Sequence, residues 1–175
     1  ELIVQSLSSY DFSETTIALF SAGGAISEVY APIAAEQGCI VIDNSSKFRM
    51  DSDVPLIVPE VNIEMLEHFR TTNIIANPNC STIQMVVALK PLEDLASINR
   101  INVSTYQSTS GAGKVAMEEL FNQTKGIFSN EEVEPDSFTK QISFNVIPQI
   151  GSFLDNGSTE EEQKMINETK KIMRP

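Results

Sequence analysis

Short apolar runs separated by polar loops organise the first half of the chain. TTIALF (15–20) is β-branched and apolar, and SAGGA halts it. ISEVYAPIAAEQG (26–38) places Ile26, Val29, Tyr30, Ile33 and Ala34 at helical spacing, with Ser27 as the expected N-cap and Gly38 as the residue that closes the helix. CIVIDNSS (39–46), PLIVPEV (55–61) and NIIAN (73–77) read as further buried strands. Continuous apolar runs of four to six residues, joined through helices, predict a parallel sheet covered on both faces.

The pattern changes after Cys80. STIQMVVALKPLEDLA (81–96) reads as a helix that Pro91 kinks or ends. RINVSTYQS (100–108) alternates with period two, as a half-exposed antiparallel strand would, and QISFNVIPQI (141–150) reads as another strand. VAMEELFNQTK (115–125) and TEEEQKMINETKKIM (159–173) read as helices, the second opened by a Thr159–Glu162 capping box. SNEEVEPDS (129–137) is an acidic surface loop. The expected organisation is α/β: residues 1–78 form the C-terminal part of a Rossmann-like sheet, and 79–175 part of a second, mixed-sheet domain.

Composition narrows the function classes. A formal charge of -12 over 175 residues disfavours a nucleic-acid backbone and an anionic membrane surface, both of which select for excess Lys and Arg. Two cysteines make no disulfide framework, so a reducing, cytoplasmic setting is expected. No apolar run reaches the ~20 residues of a membrane helix, and no metal site is expected. The chain opens on Glu1-Leu2-Ile3-Val4, without Met and already strand-like, as a piece of a longer protein would.

The candidate chemistry centres on ANPNCSTIQ (76–84). Pro78 fixes its own φ and pushes Asn77 into extended space, and Asn79 is a favoured N-cap, which places Cys80 in the first helical turn. A helix N-terminus favours a thiolate, and its first amides, with Asn79, can bind an oxyanion on a carbonyl that the sulfur attacks. A buried packing cysteine fits the same position. Cys39, which enters an apolar strand, reads as structural. Gly111-Ala112-Gly113-Lys114-Val115-Ala116 satisfies a dinucleotide pattern, but the stretch before it alternates rather than running apolar, so it reads as a tight loop.

NPNCSTIQ, STYQSTSGAGK, VIDNSSKFRMDSDVPLIVPEVN and FNVIPQIGSFLDNGSTEEEQKM together resemble the bacterial aspartate-β-semialdehyde dehydrogenase family, along essentially the whole chain. The resemblance implies NADP-dependent reductive dephosphorylation of β-aspartyl phosphate to aspartate semialdehyde, toward lysine, methionine, threonine and isoleucine, by a homodimer. It implies that Cys80 forms a thioacyl intermediate and that Gln107 orients substrate. Arg49 and Lys164 are then phosphate-binding cations, and Glu162 binds the substrate amino group. Ser21, Ala22, Gly23 and Gly24 approach the nicotinamide end of the cofactor, with Ser110 and Gly111 as a second contact. Arg suits a phosphate through its planar fork, whereas Lys acts as a point charge.

The family's main Gly-rich fingerprint would lie upstream of Glu1, and its acid/base His and substrate Arg downstream of Pro175. The sole histidine, His68, matches neither and reads as solvent-facing. A chain of these residues alone is therefore expected to be inactive. N-acetyl-γ-glutamyl-phosphate reductase is the nearest alternative enzyme, and a non-catalytic dimerisation scaffold the alternative from another class.

Overall fold

The computed structural model describes residues 3–173. Three strands, β1 (Ile17–Phe20), β2 (Ile40–Asp43) and β3 (Ile74–Ala76), form a parallel sheet in the order β1-β2-β3. The register pairs Ile17 with Ile40, Phe20 with Asp43, and Asp43 with Ala76. All three strands therefore end along one line, at Phe20, Asp43 and Ala76, and the residues that follow each are brought to the same edge.

α1 (Gly24–Glu36) makes the crossover from β1 to β2. Its buried face is built of Ala31, Ala34 and Ala35, small enough to lie close on the sheet. Gly38, at φ +89°, lets the chain leave the helix and turn directly into β2. The helix starts four residues earlier than the capping signal predicts, with Gly23 rather than Ser27 at the N-cap. The Ser27 hydroxyl, fully buried, donates instead to the equally buried Asp43 carboxylate at 2.7 Å. That bond ties the helix to β2 more specifically than a cap would, because a buried carboxylate must find donors.

The expected strand at 55–61 survives only as a bridge between Leu56 and Ala76. Pro59, which has no N–H to give a ladder, opens a short helix instead, α2 (Pro59–Asn62), continued by a 3₁₀ segment over Ile63–Thr71. His68 is exposed on that segment, as expected. At the chain start, Glu1 and Leu2 lie outside the described residues, and Ile3 and Val4 are exposed and irregular rather than in a strand.

α3 (Cys80–Glu93) follows β3, and α5 (Glu160–Met173) packs against it. The core beneath them joins Val41, Val58, Ile74 and Val86 to Ile172, near the end of α5. The chain accordingly forms two compact units: Glu1–Arg100 with Glu160–Pro175, and Ile101–Thr159. Residues 80–100 and α5 thus belong to the unit that holds the sheet.

In the second unit, α4 (Lys114–Ser129) ends at Asn130 in the left-handed conformation. Two buried side chains on α4 organise the loop that follows. Glu119 accepts from the amides of Asp136 and Ser137, and Gln123 Oε1 accepts from those of Ile142 and Ser143 at 2.9 and 3.1 Å. Residues 141–150 are therefore not the expected strand: the amides that a ladder needs are taken by Gln123, and Phe144 sits at φ +56°. The alternating stretch at 100–108 is likewise irregular, with Val103 and Tyr106 exposed. A strand exists only against a partner backbone, and the described residues offer none here.

Candidate active site

The site is assembled where the three strands end, at the carboxyl edge of the sheet, where open parallel sheets receive ligands. Ser21 follows β1, Asn44 follows β2 and Asn77 follows β3. These three form a chain: Asn77 Nδ2 donates to Asn44 Oδ1 at 2.7 Å, and Asn44 Nδ2 donates to Ser21 Oγ at 3.4 Å.

Beyond Asn77, Pro78 is buried and Asn79 is extended (φ -60°, ψ 142°). Asn79 caps α3 as predicted, its Oδ1 accepting from Ser81 N at 2.8 Å. Cys80, the first residue of the helix, is exposed, whereas Cys39 is fully buried and burial pushes its thiol up. The two cysteines thus occupy opposite environments, as their flanking sequences imply.

Asn79 is held from three sides. Its Nδ2 donates to both oxygens of Glu161, at 2.9 and 3.0 Å, and its backbone N–H donates to Glu168 Oε2 at 2.7 Å. These donors are spent within the turn, so an oxyanion beside Cys80 must rely on other amides at the head of α3 than those of Asn79 and Ser81.

Arg49 is nearly buried and fully oriented. Nε donates to Asn77 O at 2.9 Å, Nη2 to Asn44 O at 2.9 Å, and Nη1 to Glu168 Oε1 at 3.0 Å. These bonds use three of the five guanidinium N–H groups and fix the planar fork against the residues that follow β2 and β3. The loop that carries Arg49 is anchored in turn by Lys171, whose ammonium donates to the carbonyls of Arg49, Asp51 and Val54. Burial lowers the Lys171 pKa, against the pull of Asp51.

Glu162 is exposed and Lys164 half-buried, both on α5 near the end that reaches Asn79. The carboxylate on Asn79 belongs to Glu161, one residue before the one singled out by sequence. At the entry to α1, Gly23 has φ +94° and no side chain caps the helix, so Ser21, Ala22, Gly23 and Gly24 form a bare, glycine-dependent loop beside a helix N-terminus. That arrangement fits a polar or anionic end of a nucleotide. An open cleft of about 430 Å³ borders Ser21 and Ala22 along β1.

Gln107, Ser110 and Gly111 belong to the second unit. Gln107 is exposed, its Oε1 accepting from Thr105 Oγ1 at 3.0 Å. Ser110 and Gly111 lie in a 3₁₀ turn over Thr109–Ala112 that leads into α4. Among the described residues no strand leads into that turn, in keeping with its reading as a loop rather than a nucleotide fingerprint.

Two family models match the chain. The NAD-binding domain of semialdehyde dehydrogenase matches residues 1–69, and the semialdehyde dehydrogenase dimerisation domain matches 89–175. The chain belongs to the semialdehyde dehydrogenase family. Within that family it is 59% identical over 169 residues to aspartate-semialdehyde dehydrogenase 2 of Vibrio cholerae, covering 97% of this chain and 50% of the relative. It is 55% identical over 181 residues to the aspartate-semialdehyde dehydrogenase of Bacillus subtilis, covering 99% and 51%.

The crystal structure of Vibrio cholerae aspartate semialdehyde dehydrogenase II complexed with ASA superposes with a TM-score of 0.94 at 57% identity, over 97% of this chain and 50% of that one. The Candida albicans enzyme with NADP superposes with a TM-score of 0.68 at 25% identity, over 98% and 43%. This semialdehyde dehydrogenase chain thus spans about half the length of the curated relatives it matches. Among the described residues no helix is long and apolar enough to cross a membrane.

Proposed function

We propose that this chain supplies the nucleophile and part of the substrate site of an aspartate-β-semialdehyde dehydrogenase. Such an enzyme reduces β-aspartyl phosphate to aspartate semialdehyde and phosphate in the biosynthesis of lysine, methionine, threonine and isoleucine. The observation that carries this reading is the exposed Cys80 at the head of α3, beside an Asn79 held by Glu161 and Glu168.

In the proposed reaction Cys80 Sγ attacks the carbonyl carbon of the acyl phosphate. The C–O bond to phosphate breaks, and a thioester to Cys80 remains. Amides of the first turn of α3 stabilise the oxyanion, aided by the helix dipole. Arg49, through the two N–H groups not used above, and Lys164 bind the departing phosphate. Gln107 orients the acyl group, and the carboxylate that meets the substrate ammonium is Glu161 rather than Glu162. Ser21, Ala22, Gly23 and Gly24, with Ser110 and Gly111, would hold NADP(H); its reduced form, NADPH, would supply the hydride to the thioester carbon, so that the C–S bond breaks, the aldehyde is released and the Cys80 sulfur is freed. The functional division of the sequence is placed at 78/79, between the cofactor-binding part and the part that begins with the nucleophile, and the working form is a homodimer in the cytoplasm.

The test is the reverse reaction in the full-length polypeptide that contains these residues. Aspartate semialdehyde, phosphate and NADP should give NADPH absorbance, and Cys80→Ala should abolish it. Turnover of N-acetyl-γ-glutamyl semialdehyde instead would favour the neighbouring reductase. No turnover of either would leave the scaffold reading. The 175 residues alone are expected to show no dehydrogenase activity.

A further inference from the structure

Glu168 is almost fully buried in the middle of α5, where a lone carboxylate is costly unless paired and hydrogen-bonded. Its two oxygens do separate things. Oε1 accepts from Arg49 Nη1 at 3.0 Å, which offsets its charge. Oε2 accepts at 2.7 Å from the backbone N–H of Asn79, the residue immediately before Cys80. Stability alone does not call for this device, because well-packed apolar residues often serve as well as a buried ion pair. What an apolar residue cannot do is hold a peptide N–H in one direction. The Asn79 carbonyl accepts from Ile83 N–H at 2.9 Å and its side chain is engaged by Ser81 N and Glu161, so among the described residues Glu168 is what orients the N–H side of this residue.

Resting on the reading of Cys80 as the nucleophile, we propose that Glu168 is a positioning residue. It fixes the peptide plane that precedes Cys80, so that the thiol stands at the head of α3 in one orientation, and it does not itself meet the substrate. Arg49 has the complementary duty of holding Glu168 while its Nε and Nη2 grip the carbonyls of Asn77 and Asn44. One carboxylate thereby links the end of β3, the Arg49 loop and α5 to the orientation of a single sulfur.

Two substitutions in the full-length enzyme test this. Glu168→Gln keeps the shape but presents an NH₂ to either Arg49 or the Asn79 amide. Glu168→Asp keeps the charge but is one methylene too short to hold both partners. Each is expected to lower kcat about tenfold or more with KM within about threefold of wild type, because misplacing a reacting group by ~1 Å costs up to about 10²-fold. A merely structural residue would lower stability and leave the kcat of the folded fraction unchanged.

The second readout is independent of turnover: the rate at which iodoacetamide modifies Cys80, with buried Cys39 as internal control. It should change at least about fivefold in both variants, the scale of a modest local coupling. Wild-type kcat and wild-type Cys80 alkylation in folded variants would overturn the proposal, as would loss of the folded state in both. If the wild-type enzyme fails to turn over aspartate semialdehyde, the reaction assignment fails and the alkylation comparison alone decides the role of Glu168.

Discussion

The side-chain amide of Asn79 donates to both carboxylate oxygens of Glu161, at 2.9 and 3.0 Å, across 82 residues of sequence. Glu162, one position on, is exposed. Successive positions on a helix point about 100° apart, so only one of these two acids can serve the turn. Glu161→Ala should lower kcat/KM of the full-length enzyme roughly 10–100-fold, the scale of lost substrate positioning. Glu162→Ala should cost less than about threefold. Equal losses in the two variants would return the substrate contact to Glu162.

Cys80 is exposed and Cys39 has no exposed surface. Brief treatment of the native protein with iodoacetamide, followed by peptide mass mapping, should place the label on Cys80 alone. Cys39 should react only after denaturant opens the sheet. Labelling of Cys39 in the native state would mean that the β2 region opens far more readily than its burial implies.

Arg49 neutralises a carboxylate that has almost no access to water. Arg49→Met should therefore destabilise by about 3–5 kcal/mol, the usual cost of leaving one partner of a buried ion pair uncompensated. Urea unfolding followed by circular dichroism would measure it. The double variant Arg49→Met/Glu168→Leu should recover much of that loss, because the orphaned charge is then gone, while activity stays low.

Burial raises the pKa of Cys39 above its unfolded value near 9.0. Between the two values the unfolded chain has lost its proton and the folded chain has kept it, so the folded state binds more protons and stability falls as pH rises. The contribution is intact below about pH 9 and is lost from there up to the folded pKa. Lys171 works in the opposite direction. Its pKa is lowered in the fold, so stability gains as pH climbs toward 10.5. Cys39→Ala should remove the first effect and leave the alkaline limb of a stability-against-pH curve flatter than in wild type.

Much of the sheet was legible because its strands read as unbroken apolar runs, although the expected cover on both faces is not met in the described residues: Ile17 and Leu19 of β1 are exposed. IALF, IVID and IIA stand out against their loops, and Asn79 announces the start of α3 by its own chemistry. The strands expected at 100–108 and 141–150 were misread for a shared reason. Alternation says which face a strand would present, not whether a second backbone is there to pair with it. Gln123 shows how one buried side chain can take the amides on which such pairing depends.

The local geometry of the candidate site was legible at Cys80 and Asn79, where the cap and the helix start follow from local sequence. It was illegible at Glu161 and Glu168, which reach the same turn through tertiary packing of α5. Asn44 and Asn77 could have been found by one further step. Each is the polar residue immediately after a parallel strand, the position that such a sheet turns toward its ligand.

Asn79 and its carboxylate partner Glu168 are 89 residues apart in the chain. On a ribosome adding about 5–20 residues per second, that separation is roughly 4–18 s of synthesis. During that interval the cysteine has emerged with the sheet strands behind it but without the helix that orients it. A nascent chain therefore carries an accessible sulfur before it carries an aimed one, and on the proposed role of Glu168 the order of translation postpones reactivity until α5 has arrived.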